Sequence, residues 1–464
     1  MSENFSYDFV VVGGGSAGYA AARTAAGAGL SVAVVEGGGE VGGLCILRGC
    51  MPSKALIESA NRMLAAQEAL DFGVHIPEVR ADVSAIINRK RSLIENFAGY
   101  RRQQLEAGPF DFFRGHARFL GPDRIAVRLM DGGSLEIESS YFLIATGSKN
   151  FSPDVPGLME VNSLTSDDIL DAKELPHSVI VLGAGPVALE LAHYMHAVGV
   201  KVTIIQRSKH FLRGVDPDLA ETVESAFRER GIEIHTGTKL LKVESSGDGI
   251  RIHFEEDGKL CDVGAEAVFN GLGRVPNVAG LDLEKAGVAL NGKGIGVTST
   301  QQTSNPNIFA AGDCCGPFEV VHIAIQQGEL AARNAANLFK NGAAGETMDY
   351  RLKLFAVFTE PQIGVVGLSE TDAREKGIPY KSASYPFNDH GKSMVMGANH
   401  GFVKLLADPI TGELLGGAVV GPHASDLIHE VVVAMAFHST AAQFAAIPHY
   451  HPTASFTRGS GFRE

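Results

Sequence analysis

The chain has no apolar stretch long enough to cross a lipid bilayer, because a membrane-spanning helix needs about 20 consecutive apolar residues. Its first residues, MSENFSYDFVVVGGG, contain no basic segment followed by an apolar one, and they lead directly into a predicted strand. A secretory signal and a membrane anchor are therefore not expected. We predict a cytoplasmic protein with no membrane partner.

Positive charge is also scarce in this chain. Lys and Arg number 40 against 53 Asp and Glu, which gives a formal net charge of −13. Such an acidic chain is a poor candidate for holding phosphate backbones along an open surface. We therefore expect no nucleic-acid partner.

Cysteines are too few and too unevenly placed for the disulfide scaffold of a small secreted protein. The chain has five of them, at Cys45, Cys50, Cys261, Cys314 and Cys315. In a reducing compartment, a close pair of cysteines is more often catalytic or metal-binding than structural.

Glycine, in contrast, is abundant, with 55 among 464 residues, whereas the usual share is about 7%. Excess glycine outside low-complexity tracts indicates tight turns and close approaches of backbone to ligands. The chain is 45% hydrophobic and 20% charged, which is ordinary for a globular protein. Its length predicts about two to four domains.

Two segments repeat one pattern of strand, glycine turn, helix and strand, and they lie at Tyr7 to Glu36 and Ser178 to Arg207. Each fits the G-x-G-x-x-G/A fingerprint of a dinucleotide-binding βαβ unit. The first glycine allows the turn, the second lets the backbone reach a pyrophosphate, and the third small residue lets helix pack on strand. The fingerprint residues are Gly13, Gly15 and Gly18 in the first unit, and Gly183, Gly185 and Ala188 in the second.

The remaining segments predict a mixed architecture. Helical periodicity covers 51–107, hairpins cover 110–148, and a second β-rich stretch covers 232–273. From about Leu352 the pattern changes to alternating strands, followed by helices from Ala424 through Phe444. We predict an α/β fold with two Rossmann-type dinucleotide-binding domains and a C-terminal α+β domain.

The run GGLCILRGCMPSK contains Cys45 and Cys50, separated by four residues. Two buried thiols, or half of a zinc site, are the alternatives that this spacing leaves open. Zinc is disfavoured because no second Cys/His cluster nearby has ligand spacing. A helix is predicted to begin just after Cys50, and a helix N-terminus favours the thiolate form. We therefore predict a redox disulfide.

Several motifs follow this run in a set order: ATGS at 145–148, the second fingerprint, GLGRVPN at 271–277, IFAAGDC at 308–314 and HYHPT at 449–453. The order resembles the class I flavoprotein (pyridine nucleotide-disulfide) reductases over nearly the whole chain. The resemblance implies FAD on the first fingerprint and a nicotinamide cofactor on the second. It also implies a homodimer in which each C-terminal domain completes the partner's active site.

The resemblance also implies domain boundaries. They are the first part of an FAD-binding domain at 1–150, an NAD(P)-binding domain at 151–273, a return segment of the FAD-binding domain at 274–345, and a dimerisation domain at 346–464.

The family's cofactor-binding residues carry over position by position. Glu36 is expected to accept hydrogen bonds from the adenosine ribose of FAD, and Asp313 to bind its ribityl chain. Lys54 and Glu190 match a lysine–glutamate pair beside the flavin, and both are expected to take part in catalysis. The other cofactor-binding residues that the resemblance implies are Gly43, Gly115, Thr146 and Gly147 for FAD, and Gly273 for the nicotinamide.

The resemblance assigns the catalytic roles as well. Cys50 is expected to face the flavin as a charge-transfer thiolate, while Cys45 exchanges with the substrate's sulfur through a mixed disulfide. His451, which directly precedes Pro452, matches the family's acid–base histidine. His449 is interpreted as structural or as a neighbour of that histidine.

Two departures from the family pattern bear on function. Phe456 stands where the family has a glutamate that orients the histidine, five residues after His451. We therefore expect weakened or altered acid–base catalysis with ordinary dithiols, a different substrate, or a partner protein that supplies the missing group. Gln206 replaces the acid expected of an NAD site, and Arg207 and Arg213 follow it. Two arginines at this spacing resemble those of the NADPH-using members of the family, in which guanidinium groups hold the 2′-phosphate. The resemblance favours NADP(H), with a solvated basic loop as the alternative.

The most favoured function is that of a dihydrolipoamide dehydrogenase-like enzyme. The C-terminal run FVKLLADPITGELLGGAVVGPHASDLIHE also resembles the sequence of that enzyme. The expected substrate is a small-molecule or lipoyl-protein disulfide. One alternative is an NADPH-dependent reductase of glutathione-reductase or mercuric-reductase type, although the terminal cysteine pair of the latter is absent. Arg23 could contact a peptide carboxylate in such a reductase, or could be a simple helix-surface arginine. The other alternative is a flavin-binding electron carrier or interaction protein with impaired dithiol chemistry.

Overall fold

The computed structural model describes residues 4–161, 163–247, 249–398 and 400–455. The α-helices of these residues, in chain order, are α1 (Ser16–Gly27), α2 (Gly43–Leu47), α3 (Cys50–Gln67), α4 (Val83–Glu106), α5 (Ser166–Asp171), α6 (Pro186–Ala197), α7 (Pro217–Glu229), α8 (Val321–Asn341), α9 (Glu370–Lys376), α10 (Gly391–Val395), α11 (Ala424–Ala436) and α12 (Ala441–Ala446). Short 3₁₀ turns occupy Ala69–Phe72, Leu283–Ala286 and Phe387–Asp389. Within the described part of the chain, no helix is both long enough and apolar enough to span a membrane.

The β-strands of the same residues are β1 (Asn4–Val12), β2 (Val32–Glu36), β3 (Asp111–Gly121), β4 (Arg124–Leu129), β5 (Ser134–Ile144), β6 (Ser148–Asn150), β7 (Ser163–Leu164), β8 (Ser178–Leu182), β9 (Lys201–Ile205), β10 (Glu233–His235), β11 (Lys239–Ser246), β12 (Gly249–Glu256), β13 (Lys259–Ala265), β14 (Ala267–Asn270), β15 (Arg274–Pro276), β16 (Leu290–Asn291), β17 (Gly294–Ile295), β18 (Ile308–Ala310), β19 (Leu354–Val357), β20 (Gln362–Gly367), β21 (Lys381–Pro386), β22 (Phe402–Ala407) and β23 (Leu414–Gly421).

The chain divides into two compact units. The first comprises 1–52, 88–151 and 274–349, and the second comprises 53–87, 152–273 and 350–464. The domain boundaries predicted from the sequence are a different division and stay a prediction.

The first unit is built on a sheet whose parallel strands have the order β3-β2-β1-β5-β18. Strand β4 pairs antiparallel with both β3 and β5, and so connects these two strands a second time. Helices α1 and α8 pack on this sheet through small residues, including Ala21 and Ala335, which are fully buried. A Cβ on Gly328 of α8 would collide with the backbone of Ala17 in α1. The absence of larger side chains therefore allows the two helices to approach closely.

The residues that the resemblance assigns to FAD follow the carboxyl ends of these parallel strands. Gly13 follows β1, Glu36 is the last residue of β2, Thr146 follows β5 and Asp313 follows β18. In open parallel sheets, ligands bind outside the carboxyl ends of the strands. The fold thus gathers at one edge of the sheet residues that are far apart in the sequence.

The second unit contains a parallel sheet with strand order β10-β9-β8-β14-β7, and an antiparallel sheet of β11, β12 and β13. The second fingerprint follows β8, Gln206 follows β9, and Gly273 lies in the turn after β14. The carboxyl ends of this parallel sheet therefore carry the residues expected to bind the nicotinamide cofactor.

The C-terminal part of the second unit is an antiparallel sheet with strand order β19-β20-β23-β22-β21, covered by α11. Gly364 of β20 lets α11 approach, since a Cβ there would reach 3.0 Å from Ile428. Two dinucleotide-binding sheets and a C-terminal α+β part confirm the predicted fold class.

Candidate active site

The first fingerprint forms a tight turn that leads into α1. Gly13 has φ +109°, and a Cβ on it would collide with the carbonyl oxygen of Ala145. Gly18 lies so close to Gly13 that any side chain would strike the backbone of the turn. Gly15 precedes α1 and has no side chain to cap it, so the first N–H groups of the helix are available to an anion such as pyrophosphate.

Glu36 is held at the end of β2 by two backbone groups. Its Oε2 accepts the N–H of Gly14 at 2.7 Å, and its Oε1 accepts the N–H of Gly38 at 2.6 Å. Arg114 fixes the same loop by donating to the carbonyl of Gly38 at 2.6 Å. Since each carboxylate oxygen has further acceptor capacity, Glu36 can accept hydroxyl groups of a ribose.

Asp313 belongs to a polar chain that joins two strand ends. Ser148 Oγ donates to Asp313 Oδ2 at 2.6 Å, and Arg274 Nε donates to Ser148 Oγ at 2.8 Å. The neighbouring turn residue Gly147 has φ +68° and accepts the N–H of Asn277 at 2.8 Å. Arg274 and Asn277 belong to the GLGRVPN motif, so that motif supports this edge of the first unit.

One further observation tests whether these residues fit FAD. The Oγ1 atom of Thr146 is buried and has no hydrogen-bond partner among the described residues. A buried hydroxyl without a partner is costly unless a ligand supplies one. The residues present therefore fit the dinucleotide.

Gly115, another predicted cofactor residue, has a packing role in the structure. A Cβ on it would lie 2.6 Å from the carbonyl oxygen of Arg128 on the neighbouring strand. It therefore permits close pairing of β3 with β4, and a role in cofactor binding stays a prediction.

The two cysteines lie at neighbouring helix ends. Cys45 is half-buried on α2, and the exposed Cys50 is the first residue of α3, in agreement with the predicted helix start. Gly49 lies so close to Cys45 that a Cβ on Gly49 would be 3.1 Å from the Cys45 Cα atom. The chain thus folds back and brings the residue before Cys50 against Cys45.

Gly43 connects this segment to the dinucleotide turn. It has φ +74°, and a Cβ on it would lie 2.6 Å from the Cα atom of Gly15. The cysteine segment therefore lies directly against the turn of the first fingerprint. No side chain larger than hydrogen fits at this position, which explains the glycine.

The structure pairs Lys54 with Glu190, as the resemblance implies. Lys54 Nζ lies 2.8 and 3.0 Å from the two carboxylate oxygens, and the Glu190 side chain is only 5% exposed. Glu190 also accepts the N–H of Phe358 at 3.0 Å, and the ammonium lies 4.5 Å from the Phe358 ring centre. These contacts fix a positive charge one turn after Cys50 on α3.

The second fingerprint has the same turn geometry as the first. Gly183 has φ +96°, and a Cβ on it would lie 2.7 Å from the carbonyl oxygen of Gly271. A Cβ on Gly271 would in turn lie 2.7 Å from the Cβ of Ala188. Gly185 directly precedes α6 and Gly273 has φ +103°. Side chains at Gly183 and Gly271 would therefore collide with the turn or with Ala188, whereas Gly185 and Gly273 have open space beside them.

Arg207 and Arg213 are exposed, and neither forms an ion pair with any residue that the structure describes. Gln206 is half-buried, and its side-chain amide donates to the carbonyl of His210 at 3.4 Å. The two guanidinium groups are thus available to an anionic ligand.

His451 is exposed and forms no hydrogen bond with any described residue. Burial lowers the pKa of His390, and the charge of His451 lowers it further. His390 is buried and its Nδ1 lies 2.9 Å from Ser393 Oγ. Phe456, on which the predicted weakening of catalysis rests, lies outside the described residues.

Sequence reasoning missed Glu430. This residue of α11 contacts His449 through one carboxylate oxygen and accepts the hydroxyl of Ser455 through the other. No motif or spacing indicates it, since it lies 19 residues before His449 and reaches the HYHPT segment only through the fold.

The chain matches known proteins over nearly its whole length. Residues 7–328 match the family model described as pyridine nucleotide-disulphide oxidoreductase, and residues 355–459 match the dimerisation domain of that family. Dihydrolipoyl dehydrogenase of Bacillus subtilis (strain 168) is 34% identical over 97% of this chain and 96% of its own. Mercuric reductase of Bacillus cereus is 32% identical over 94% of this chain and 68% of its own.

A solved structure is similar as well. The Cu(II) complex of the HOCl-induced flavoprotein disulfide reductase RclA from Escherichia coli has a TM-score of 0.84. It is 26% identical in sequence, with 97% of each chain covered.

Proposed function

The chain belongs to the class I pyridine nucleotide-disulfide oxidoreductases, and from this we propose that it acts as a dihydrolipoamide dehydrogenase-like enzyme. In the reducing direction, NAD(P)H, one proton and a disulfide give NAD(P)⁺ and two thiols. The observation that carries the proposal is the folding of the Cys45–Cys50 segment directly against the turn of the first fingerprint.

FAD supplies a two-electron carrier between the nicotinamide and the protein's cysteines. The residues proposed to hold it are those at the carboxyl ends of the first sheet, with Glu36 for the ribose and Asp313 for the ribityl chain. The turn of the second fingerprint is proposed to hold the nicotinamide cofactor. The matching division of the chain into an FAD-binding domain (1–150 and 274–345), an NAD(P)-binding domain (151–273) and a dimerisation domain (346–464) is part of the proposal.

The dithiol chemistry is assigned to Cys45, Cys50 and His451. When a dithiol is oxidised, one substrate thiolate attacks Cys45, the Cys45–Cys50 bond breaks, and Cys50 leaves as a thiolate. The second substrate thiolate then attacks the mixed disulfide and releases Cys45. Each substrate thiol must lose a proton, and His451 is proposed to accept and return it.

The match to the dimerisation domain supports a homodimer. We propose that His451 of each protomer serves the cysteines of the partner, as the family resemblance implies. A lipoyl group or another small disulfide is the proposed substrate.

NADP(H) is the proposed nicotinamide cofactor, supported by the exposed Arg207 and Arg213 after β9. Replacing both with alanine is expected to raise KM for NADPH about tenfold or more, with little change for NADH, since guanidinium contacts to a phosphate are charge-assisted. Steady-state kinetics with each nicotinamide measure this effect. Lys201→Ala, an exposed cation at the other end of β9, is the matched control. Equal losses with NADH and NADPH, or none, would remove the argument for NADP(H).

A second candidate substrate is a small disulfide that carries carboxylates. Two guanidinium groups flank the Tyr19 ring in the first unit, Arg101 at 4.2 Å and Arg23 at 5.9 Å from its centre. Arg101 Nη1 is buried with no hydrogen-bond partner among the described residues, and the electrostatic influence of Cys45 reaches this guanidinium. An anionic group on the substrate would compensate this charge.

Comparing lipoamide with glutathione disulfide tests the two candidates. A kcat/KM that is at least tenfold higher for lipoamide, with either nicotinamide, supports the dihydrolipoamide dehydrogenase-like function. The opposite preference, lost in Arg101→Leu, supports the anionic disulfide. Failure to reduce either disulfide, with flavin and nicotinamide bound normally, would contradict both.

A further inference from the structure

We infer that Glu430 is the carboxylate that positions residues 449–455, here called the acid–base segment because they include His451. It would do so in place of the glutamate that the family has at position 456. The inference rests on the proposed function, since it assigns a partner to the histidine-bearing segment of that same site. Its basis is a contact of one carboxylate with both ends of the segment. Glu430 reaches His449 through Oε1 and Ser455 through Oε2.

The two ring nitrogens of His449 both face acceptors. Nδ1 lies 2.9 Å from the carbonyl oxygen of Ile447, and Nε2 contacts the carboxylate of Glu430. Both ring nitrogens are therefore engaged, and these two contacts fix the orientation of the His449 ring against Glu430.

This pair is largely shielded from water. The side chains of His449 and Glu430 are 12% and 26% exposed, and the Phe444 ring centre lies 6.2 Å from that of His449. Limited access of water strengthens a polar contact relative to the same contact on an exposed surface. Glu430 is thereby a firm anchor on α11, whose inward residues Ile428 and Val431 are fully buried.

Glu430 does not contact His451 directly and acts on it through the acid–base segment. His451 lies between the two anchored residues, His449 and Ser455, and its imidazole has no hydrogen bond to the described residues that would orient it. Fixing both ends of the segment restricts where the His451 ring can lie. Glu430 is therefore a positioning residue, and the proton-transfer step itself is left to His451.

Glu430→Gln tests the inference because it keeps the size of the side chain and removes its charge. The FAD-loaded dimer is mixed rapidly with NAD(P)H, and the two-electron-reduced enzyme is then mixed with lipoamide, each step being followed by flavin absorbance. Reduction by NAD(P)H is expected to stay within about twofold of the wild type. Reoxidation by the disulfide is expected to slow about tenfold or more, because positioned acid–base catalysis contributes about a hundredfold or more.

A second change separates positioning from a general structural role. Adding Phe456→Glu to Glu430→Gln places a carboxylate at the family's position and is expected to recover most of the lost rate. Glu413→Gln is the matched control, since Glu413 forms the same kind of pair with His438 at 2.6 Å but on an exposed surface. It is expected to leave both steps unchanged.

The outcomes are distinct. A wild-type enzyme that is reduced by NAD(P)H but not reoxidised by any disulfide would contradict the proposed function. A normal reoxidation rate in Glu430→Gln, or no recovery when Phe456→Glu is added, would overturn the inference alone. If the Glu430→Gln variant does not retain FAD or does not form the dimer, the Ser455→Ala variant is used to test the inference instead. That variant frees one end of the segment, and a normal reoxidation rate in it would overturn the inference.

Discussion

At the scale of single residues, the buried ion pair of Lys54 with Glu190 and the turn residue Gly13 are positions at which we expect few substitutions to be tolerated. The Lys54–Glu190 pair combines an almost fully buried carboxylate with an ammonium that is 31% exposed. Removing one partner of a buried ion pair leaves an uncompensated charge, which typically costs about 3–5 kcal/mol. Gly13 has a conformation that favours glycine and, in addition, no space for a Cβ.

Lys54→Met is expected to destabilise the protein by about 2–4 kcal/mol, because Glu190 would stay buried without its cation. Adding Glu190→Gln should restore part of this loss. Urea unfolding of the FAD-loaded dimer measures both changes. Lys285→Met, which breaks an exposed pair with Asp282, should change stability much less than Lys54→Met does. Equal effects of Lys54→Met and Lys285→Met would contradict the buried-pair interpretation.

Gly13→Ala is expected to abolish FAD retention, because its Cβ would collide with the Ala145 carbonyl at the dinucleotide turn. The flavin-to-protein absorbance ratio of the purified protein measures retention. Gly29→Ala is the matched control, since Gly29 also has positive φ, at +87°, but has nothing within 4 Å of a Cβ. That variant should lose only about 1 kcal/mol of stability and keep its flavin. Normal flavin content in Gly13→Ala would contradict the assignment of this turn.

At the scale of the elements, helix α6 carries both Glu190 and a buried histidine. His193 is 2% exposed, and its Nε2 lies 2.8 Å from Asn61 Oδ1 on α3. Burial, together with the nearby charges of Arg230 and His196, lowers the pKa of His193 to about 3. The histidine is therefore neutral in the folded protein at any pH at which the enzyme is expected to work.

This histidine makes stability depend on pH. Below about pH 6.5 the unfolded chain binds a proton at position 193, whereas the folded protein does not until about pH 3. The group's contribution to stability is thus complete above pH 6.5 and falls by about 1.4 kcal/mol per pH unit between these values. His193→Gln, which can still donate to Asn61, should remove this part of the slope in urea unfolding. The control is His177→Gln, which should leave the slope unchanged because the His177 side chain is 94% exposed. Identical slopes in wild type and His193→Gln would contradict the buried neutral histidine.

The sequence predicts those parts of the site that depend on local geometry. The turns at Gly13 and Gly183 and the helix start at Cys50 follow from short motifs, because a positive φ or a helix end is determined within a few residues. The predicted edge of the first sheet follows from strand order in βαβ units.

Long-range packing places the other residues. Glu430 reaches His449 because α11 packs on β20, and this packing depends on side chains of both elements. Arg101 meets Tyr19 although they belong to α4 and α1. One sequence contains no spacing that encodes these contacts. Sequence reasoning therefore did not find Glu430, and the weakened acid–base catalysis expected from Phe456 stays a prediction.

At the scale of the whole molecule, the central claim is that the cysteine pair exchanges electrons with a bound flavin. Family membership supports this claim, and the contact of Gly43 with Gly15 places the cysteine segment at the dinucleotide turn. The competing hypothesis is a flavin-binding carrier whose cysteines take no part in electron transfer. The two hypotheses differ in the spectrum of the two-electron-reduced protein.

Anaerobic titration of the purified FAD-loaded dimer with NADPH, and separately with NADH, tests the claim most directly. Two-electron reduction is predicted to produce a long-wavelength charge-transfer band, because a Cys50 thiolate is expected beside the flavin. The band should disappear in Cys50→Ser and persist in Cys261→Ser, and NADPH should produce it faster than NADH. Bleaching of the flavin without any such band would contradict the account and favour the carrier protein.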